Sequence, residues 1–112
     1  MDLNLVVLSG RLAAAPEMRV LDSGTRLVRY LVTLRTETPR RRVDVLPVTL
    51  WEPSDDAAVD LEKGRRVWVA GSAQRRFWEG PEGRRSRIEI VAEQVTHDVA
   101  EEPESAAAKS RR

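Results

Sequence analysis

Five apolar segments, separated by turn-forming residues, constrain the fold of this chain more than any other feature. The segments are rich in Val, Ile, Leu and Trp, which favour strands. The residues between them, such as Asp22-Ser23-Gly24 and Glu79-Gly80-Pro81-Glu82-Gly83, are typical of turns. The sequence therefore predicts five closely spaced β-strands, at Leu3–Leu12, Arg26–Arg35, Val43–Trp51, Arg66–Trp78 and Arg87–Val95.

One short helix is predicted between the third and fourth strands, at Asp55–Glu62, where Ser54 is placed to cap the first turn. The acids Asp55 and Asp56 suit the positive end of its dipole. Five strands with one helix in this position predict an all-β fold, a five-stranded Greek-key barrel of the OB type, whose closure removes exposed sheet edges. A β-sandwich is the alternative.

The chain has 112 residues, the length of one domain, and we assign residues 1–96 to the barrel. Residues 97–112, HDVAEEPESAAAKSRR, carry no hydrophobic pattern that could be buried, so they predict a disordered tail. No run of 18 apolar residues occurs, and the apolar start turns polar at Ser9. We therefore expect no membrane span, no signal peptide and a cytoplasmic location.

The composition excludes much of enzyme chemistry. Without cysteine there is no disulfide, thiolate zinc site or cysteine nucleophile, and His97 is the only imidazole available to a metal site or a proton relay. The adjacent acids Asp55 and Asp56 could hold a divalent metal or serve acid–base catalysis, but a helix start explains them better. We expect no enzyme, no cofactor and no metal site.

Positive charge is concentrated in two blocks of the sequence. Residues 23–51 carry six Arg against two acids (+4), and residues 65–87 carry seven Arg against two Glu (+5). Between them, residues 52–64 carry five acids and one Lys (−4). The cations are 17 Arg and two Lys, and the planar guanidinium suits both phosphates and base stacking. This bias favours a nucleic-acid ligand, with high-GC coding as the alternative explanation.

Alternation of side chains along each strand separates core from surface. It turns Trp51, Trp68 and Trp78 outward, and it requires an edge or a bulge at Pro47, which has no backbone donor. The predicted inner faces carry Val28, Tyr30, Val32 and Leu34 on the second strand, Leu46, Val48 and Leu50 on the third, and Val67, Val69, Gly71 and Ala73 on the fourth.

Outward aromatic rings interleaved with arginines are what sequence-tolerant binding of a single strand requires. The predicted binding residues are the stacking platforms Trp51 and Trp78, the outward residues Arg29, Arg35, Thr49, Gln74 and Arg76, and two basic connections with Arg40, Arg41 and Arg42 and with Arg84 and Arg85. The alternatives are a subunit interface for the tryptophans and simple solvation of turns for the arginines. For Trp68, together with Leu5 and Val7, an oligomer interface is the prediction.

Several stretches are similar to one known family. They are NLVVLSGRL at Asn4–Leu12, APEMR at Ala15–Arg19, Ser23-Gly24-Thr25, VTLW at Val48–Trp51, KGRRVWVAG at Lys63–Gly71 and RRFW at Arg75–Trp78. Over residues 3–95 the chain resembles the bacterial single-stranded DNA-binding proteins of replication and repair. The resemblance implies an OB barrel without enzymatic activity, single-stranded DNA rather than RNA as the partner, and a location at the nucleoid. It also implies a homotetramer, or alternatively a dimer.

Carried over by residue, the resemblance places Trp51 and Trp78 where the family stacks bases, Arg76 at a phosphate contact and Trp68 near a subunit contact. The family commonly has a tryptophan just after the second strand, where this chain has Glu37 or Thr38. It also has Trp-His-Arg where this chain has Val45-Leu46-Pro47, so two stacking platforms are missing.

The chain also lacks the acidic, hydrophobic C-terminal tip of the family and has Lys109-Ser-Arg-Arg112 instead. We therefore expect an auxiliary paralogue that binds single-stranded DNA weakly and independently of sequence in replication, recombination or repair. Recruitment of repair proteins through the C-terminus is not expected. The alternative function is a protein-interaction module or oligomeric scaffold of the OB fold, similar to primosomal proteins.

Overall fold

The computed structural model describes residues 1–54 and 61–97, and the chain forms six strands within them. The predicted helix lies outside the described residues except for Leu61 and Glu62, which are not helical. In the described part, no helix is long and apolar enough to cross a membrane. The strands are β1 (Val6–Leu12), β2 (Glu17–Val20), β3 (Arg26–Thr36), β4 (Arg42–Trp51), β5 (Arg66–Gly80) and β6 (Gly83–His97).

The strands close into the predicted barrel. β1 pairs with β5, β5 with β6, β6 with β4 and β4 with β3, and β3 returns to β1 where Thr33 lies opposite Arg11. All of these pairs are antiparallel except β4 and β6, which run parallel at Val48–Leu50. At Pro47 β4 has only β3 as a neighbour, because the pairing with β6 begins at Val48. This confirms the edge position predicted for the proline.

A sixth strand, β2, corrects the prediction of five. No strand was predicted between Leu12 and Arg26, but Glu17–Val20 pair with β3 just beyond its contact with β1. Residues 13–16 separate β1 from β2, and the two strands together cover one long edge of β3. β1 also begins three residues later than predicted. There, the side chain of Asn4 takes the place of backbone pairing, with Nδ2 donating to Ala73 O at 2.8 Å and Oδ1 accepting from Ala73 N at 3.0 Å.

The hairpin of β5 and β6 is longer than predicted, since each strand has 15 residues and only Pro81 and Glu82 form the turn. Its outer part, where residues 75–79 pair with residues 84–88, is exposed on both faces and extends beyond the barrel. Arg84 and Arg85 were predicted to lie in a connection between strands. They lie on β6 instead.

Alternation predicts the core correctly. The largest fully buried side chains include Tyr30, Val28, Val32, Val48, Val67 and Val69. Burial raises the pKa of Tyr30 to about 12, so its phenol stays neutral. Gly71 lies at a bulge in the β5–β6 pairing, where a Cβ would collide with the backbone of Val91. The barrel extends one residue past the predicted boundary, because β6 ends at His97. The rest of the predicted tail, residues 98–112, lies outside the described residues.

Candidate nucleic-acid interface

The outward side chains of β3, β4, β5 and β6 lie side by side on one surface of the barrel and hairpin. The pairing register places Arg29 opposite Thr49 and Thr49 opposite Val91. It also places successive outward residues of β5 opposite those of β6. We call this surface the arginine–tryptophan face, and it consists of Arg29, Thr49, Trp51, Gln74, Arg76, Trp78, Arg85, Arg87, Glu89 and Val91.

Trp51 and Trp78 are both presented to solvent on this face, with exposed fractions of 41% and 42%. Trp51 and Arg76 border a depression of about 250 Å³. Trp78 and the same Arg76 border a second depression of about 200 Å³, together with Arg29 and Arg87. One arginine therefore lies between the two indole rings. Arg87 approaches the second ring, with its guanidinium carbon 5.8 Å from the centroid of Trp78.

Glu52 fixes the end of β4 directly after Trp51. Its φ of 51° lies in the left-handed region, which is uncommon for a residue other than glycine. Glu52 N donates to Arg26 O at 2.8 Å, and Arg26 N donates to Glu52 Oε1 at 3.0 Å. These two bonds hold the strand end, and with it the backbone that carries Trp51, against β3.

Positive charge exceeds negative charge on this face. Burial lowers the pKa of the Arg29 guanidinium, as do the neighbouring cations Arg76 and Arg19, while Glu89 opposes the shift. Arg76 Nη1 lies 3.7 Å from Glu89 Oε1. One carboxylate thus faces several guanidinium groups, and the remaining positive charge favours an anionic polymer such as a nucleic acid.

Two of the predicted binding residues on β4 and β5 differ in accessibility. Gln74 is exposed on the face. Thr49, although it points outward by alternation, is only 1% exposed. The reason is that β4 has strands on both sides at this point, with Arg29 on β3 and Val91 on β6 as its neighbours. Thr49 therefore presents almost none of its surface to solvent, and its predicted contact with the ligand stays a prediction.

The structure places a second group of predicted binding residues at the far end of the β3–β4 hairpin. Arg41 lies 3.6 Å from Glu37 and Arg42 lies 2.9 Å from Asp44, both as exposed ion pairs. Arg42 is the first residue of β4, whereas it was predicted in the connection. The exposed group, which does not border the depressions beside Trp51 and Trp78, consists of Arg35, Arg40, Arg41 and Arg42.

Arg84 and Arg85 were predicted to form one basic connection. On the projecting hairpin their side chains contact different residues. Arg85 lies opposite Trp78 and its Nη2 donates to Glu82 Oε1 at 3.4 Å. The guanidinium carbon of Arg84 lies 4.5 Å from the ring centroid of Phe77.

Sequence reasoning missed Arg87 and Glu89. Arg87 and Glu89 alternate outward on β6, opposite Arg76 and Gln74. Alternation would have found them if the hairpin turn had been confined to Pro81 and Glu82, because that choice fixes the register of β6 against β5.

The residues predicted for an oligomer interface form a separate apolar surface. Leu5 and Val7 are 65% and 68% exposed, and Trp68 is 51% exposed. Val7 lies opposite Ala70 and Ser9 lies opposite Trp68 in the β1–β5 pairing, so these side chains share the outer face of two neighbouring strands. Exposed apolar side chains grouped in this way are typical of interaction surfaces.

Comparison with known proteins gives matches to one family. The model of the Single-strand binding protein family matches residues 3–98. The single-stranded DNA-binding protein of Caldanaerobacter subterraneus is 32% identical over 99 residues, which are 83% of this chain and 66% of the relative. Single-stranded DNA-binding protein 3 of Listeria innocua is 35% identical over 101 residues, 83% of this chain and 62% of the relative. The chain thus spans less than two thirds of the length of these relatives.

A solved structure described as "Plasmodium falciparum SSB complex with ssDNA" superposes with a TM-score of 0.72 and 22% identity. The match covers 87% of this chain and 94% of the other chain. At this level of identity the likeness concerns the fold, and it confirms the predicted all-β barrel of the OB type.

Proposed function

The chain belongs to the single-strand binding protein family, and on this basis we propose that it binds single-stranded DNA with little dependence on sequence. Bases stack on Trp51 and Trp78, and phosphates contact Arg76 and the arginines beside it. Every base has a π-face and every nucleotide a phosphate, so such contacts tolerate any sequence. The proposed activity is binding without catalysis, at the nucleoid in the cytoplasm.

One observation carries this proposal more than any other. Two half-exposed indole rings lie on the same face with Arg76 bordering both depressions. A strand that stacks on one ring can therefore continue past a cation to the other. The names of the relatives and the DNA complex of the solved neighbour support the same function.

A labelled dT oligonucleotide of roughly 30 nucleotides, titrated with the protein and followed by fluorescence anisotropy, tests the proposal, because the site size is about 4–16 nucleotides per OB fold. We expect saturable binding at low salt and much weaker binding to a duplex of the same length, whose bases are not free to stack. Equal affinity for the duplex, or no binding to the single strand, would contradict the proposal.

We also propose that the chain forms a homo-oligomer, a tetramer or a dimer, through the outer face of β1 and β5. The exposed Leu5, Val7 and Trp68 support this interface, since a second copy would remove them from water. The arginine–tryptophan face uses β3, β4, β6 and the other end of β5, from Gln74 to Trp78, so assembly and DNA binding can occur together.

Replacing Val7 with aspartate is expected to reduce the mass of the particle in solution, because a carboxylate would be buried against an apolar partner. Light scattering measures the mass. Val20→Asp is the matched control, since Val20 on β2 is 65% exposed and Val7 is 68% exposed. The proposed interface would be contradicted if both variants kept the wild-type particle mass, or if the mass fell equally in both.

A further inference from the structure

Three arginines converge on the depression beside Trp78, which has a volume of about 200 Å³. They are Arg29 on β3, Arg76 on β5 and Arg87 on β6. Arg76 and Arg87 are exposed, and Arg29 is partly buried. The depression therefore brings cationic groups from three strands together beside one indole ring.

The pairing of β5 and β6 places two of these cations directly opposite each other, since Arg76 is the register partner of Arg87. Like charges in directly opposite positions of an antiparallel pair destabilise the sheet. Burial is the main reason that the pKa of the Arg29 guanidinium is lowered, and Arg76 and Arg87 lower it further. The three cations are therefore held close together against mutual repulsion, which a bound anion would relieve.

Among the described residues, negative charge does not balance this cluster. Glu89 Oε1, from the carboxylate of the arginine–tryptophan face, lies 3.7 Å from Arg76 Nη1. On the neighbouring strand β2, Arg19 Nε lies 3.7 Å from Glu17 Oε1, so β2 adds one charge of each sign. Three guanidinium groups and one carboxylate leave a net charge of +2 at the depression.

A phosphate monoester matches this cluster better than a phosphodiester does. The monoester at the end of a strand carries a charge of about −1.5 to −2 at neutral pH and three terminal oxygens that accept hydrogen bonds. A phosphodiester within the strand carries one negative charge and has only two such oxygens. Each of the three guanidinium groups can therefore contact its own oxygen of a monoester, whose charge also comes close to balancing the cluster.

We propose that the depression beside Trp78 binds the terminal phosphate monoester of a DNA strand, with the three guanidinium groups around the phosphate and the terminal base stacked on the indole. The inference rests on the proposed function. The guanidinium carbon of Arg87 lies 5.8 Å from the centroid of this indole, so one nucleotide can reach both groups. A strand without a terminal phosphate places a phosphodiester here and is held less tightly. The preference concerns the strand end, and it leaves binding independent of sequence because every base has a π-face.

The test compares two dT strands with the same number of phosphates, by competition against a labelled dT strand at low salt. One has roughly eight nucleotides, within the site size of about 4–16 per OB fold, and ends in a phosphate. The other is one nucleotide longer and ends in hydroxyl groups. We expect the phosphorylated strand to bind roughly fivefold more tightly, the upper end of what an exposed ion pair contributes. Strands phosphorylated at the 5′ end or at the 3′ end show which end is held, and a preference at either end supports the proposal.

A strand whose terminal phosphate carries a methyl ester tests the wild-type protein independently of any effect of mutation on folding. The ester keeps the phosphate in place but removes one charge and one terminal oxygen, so this strand should bind no more tightly than the longer one.

Arg87→Gln should reduce the preference for the phosphorylated strand to near one, because it removes one guanidinium from the depression. Arg84→Gln is the matched control, since Arg84 lies on the same strand against Phe77 and does not border this depression. Both variants lose one positive charge, but the control should keep the wild-type preference.

Three results would each overturn the terminal-phosphate site: no preference for a phosphate at either end, a methyl ester that binds as tightly as the free phosphate, or a preference that Arg87→Gln keeps or that both variants lose equally. Displacement of the strands by an equal concentration of free thymidine monophosphate would assign the depression to a mononucleotide and overturn it as well. In all these cases binding of the dT strands would still support the proposed function. Failure of the protein to bind any of the strands would overturn both proposals.

Discussion

Replacing Trp78 with alanine is expected to weaken binding of a dT oligonucleotide by about 1–3 kcal/mol, which is a roughly five- to 150-fold loss of affinity. The indole is 42% exposed on the hairpin and does not belong to the hydrophobic core, so its removal leaves the core packing unchanged. The effect should therefore appear in binding and not in the free energy of unfolding. Anisotropy titrations of both proteins at one salt concentration measure it.

Phe77→Ala is the matched control for this variant. Phe77 is the neighbouring residue, it is 52% exposed, and alternation turns it to the opposite face of the hairpin. Its ring already contacts the guanidinium of Arg84. We expect a small loss for Phe77→Ala, within about 0.5 kcal/mol. An equal loss of affinity in both variants would mean that DNA binding does not depend on which face of the hairpin carries the ring. The arginine–tryptophan face would then not be the binding site.

Salt is expected to weaken binding more than any single substitution. The face and the hairpin edge present about six arginines, and each neutralised phosphate of a single strand contributes about −0.7 to the slope of log affinity against log salt. A slope near −4 follows, so affinity should fall about 250-fold between 50 and 200 mM salt. Titrations at several salt concentrations give the slope.

Arg76→Ala is expected to reduce the steepness of that slope by about 0.7, because Arg76 lies between the two indoles and one phosphate contact would be lost. Lys63→Ala is its control. Lys63 precedes the first residue of β5, at the opposite end of that strand from Trp78. A slope that is unchanged in Arg76→Ala, or reduced equally in Lys63→Ala, would show that the phosphates follow another path.

The aliphatic surface at the far end of the β3–β4 hairpin gives a physical reason to expect modest affinity. Val43 and Val45 are each 51% exposed, and Leu31 is 45% exposed. Resemblance to the family leads one to expect a tryptophan at Val45. An aliphatic side chain there offers no π-face for a base, so we expect stacking only at Trp51 and Trp78, near the β5–β6 hairpin.

Alternation alone predicted the features of the site that depend on which face a residue occupies. It turned Trp51 and Trp78 outward and Val28 and Tyr30 inward, because a side-chain period of two holds along any strand. It could not predict that Thr49 is buried, since burial of an outward residue depends on the neighbours that β3 and β6 supply.

The proximity of Arg29 and Glu89 was beyond sequence reasoning for a related reason. Glu89 and Arg29 are 60 positions apart and meet only because β3, β4 and β6 lie next to each other in the sheet. By contrast, β2 was missed because a four-residue strand following a proline gives the same local signal as a turn.

Intrinsic tryptophan fluorescence during titration with dT at about 50 mM salt tests most directly whether bases stack on this face, since stacked indoles change their emission. We expect saturable quenching that is reduced in Trp78→Ala and again in Trp51→Ala, and retained in Phe77→Ala. Emission that stays constant while the oligonucleotide binds, or quenching that both tryptophan variants keep in full, would contradict the account.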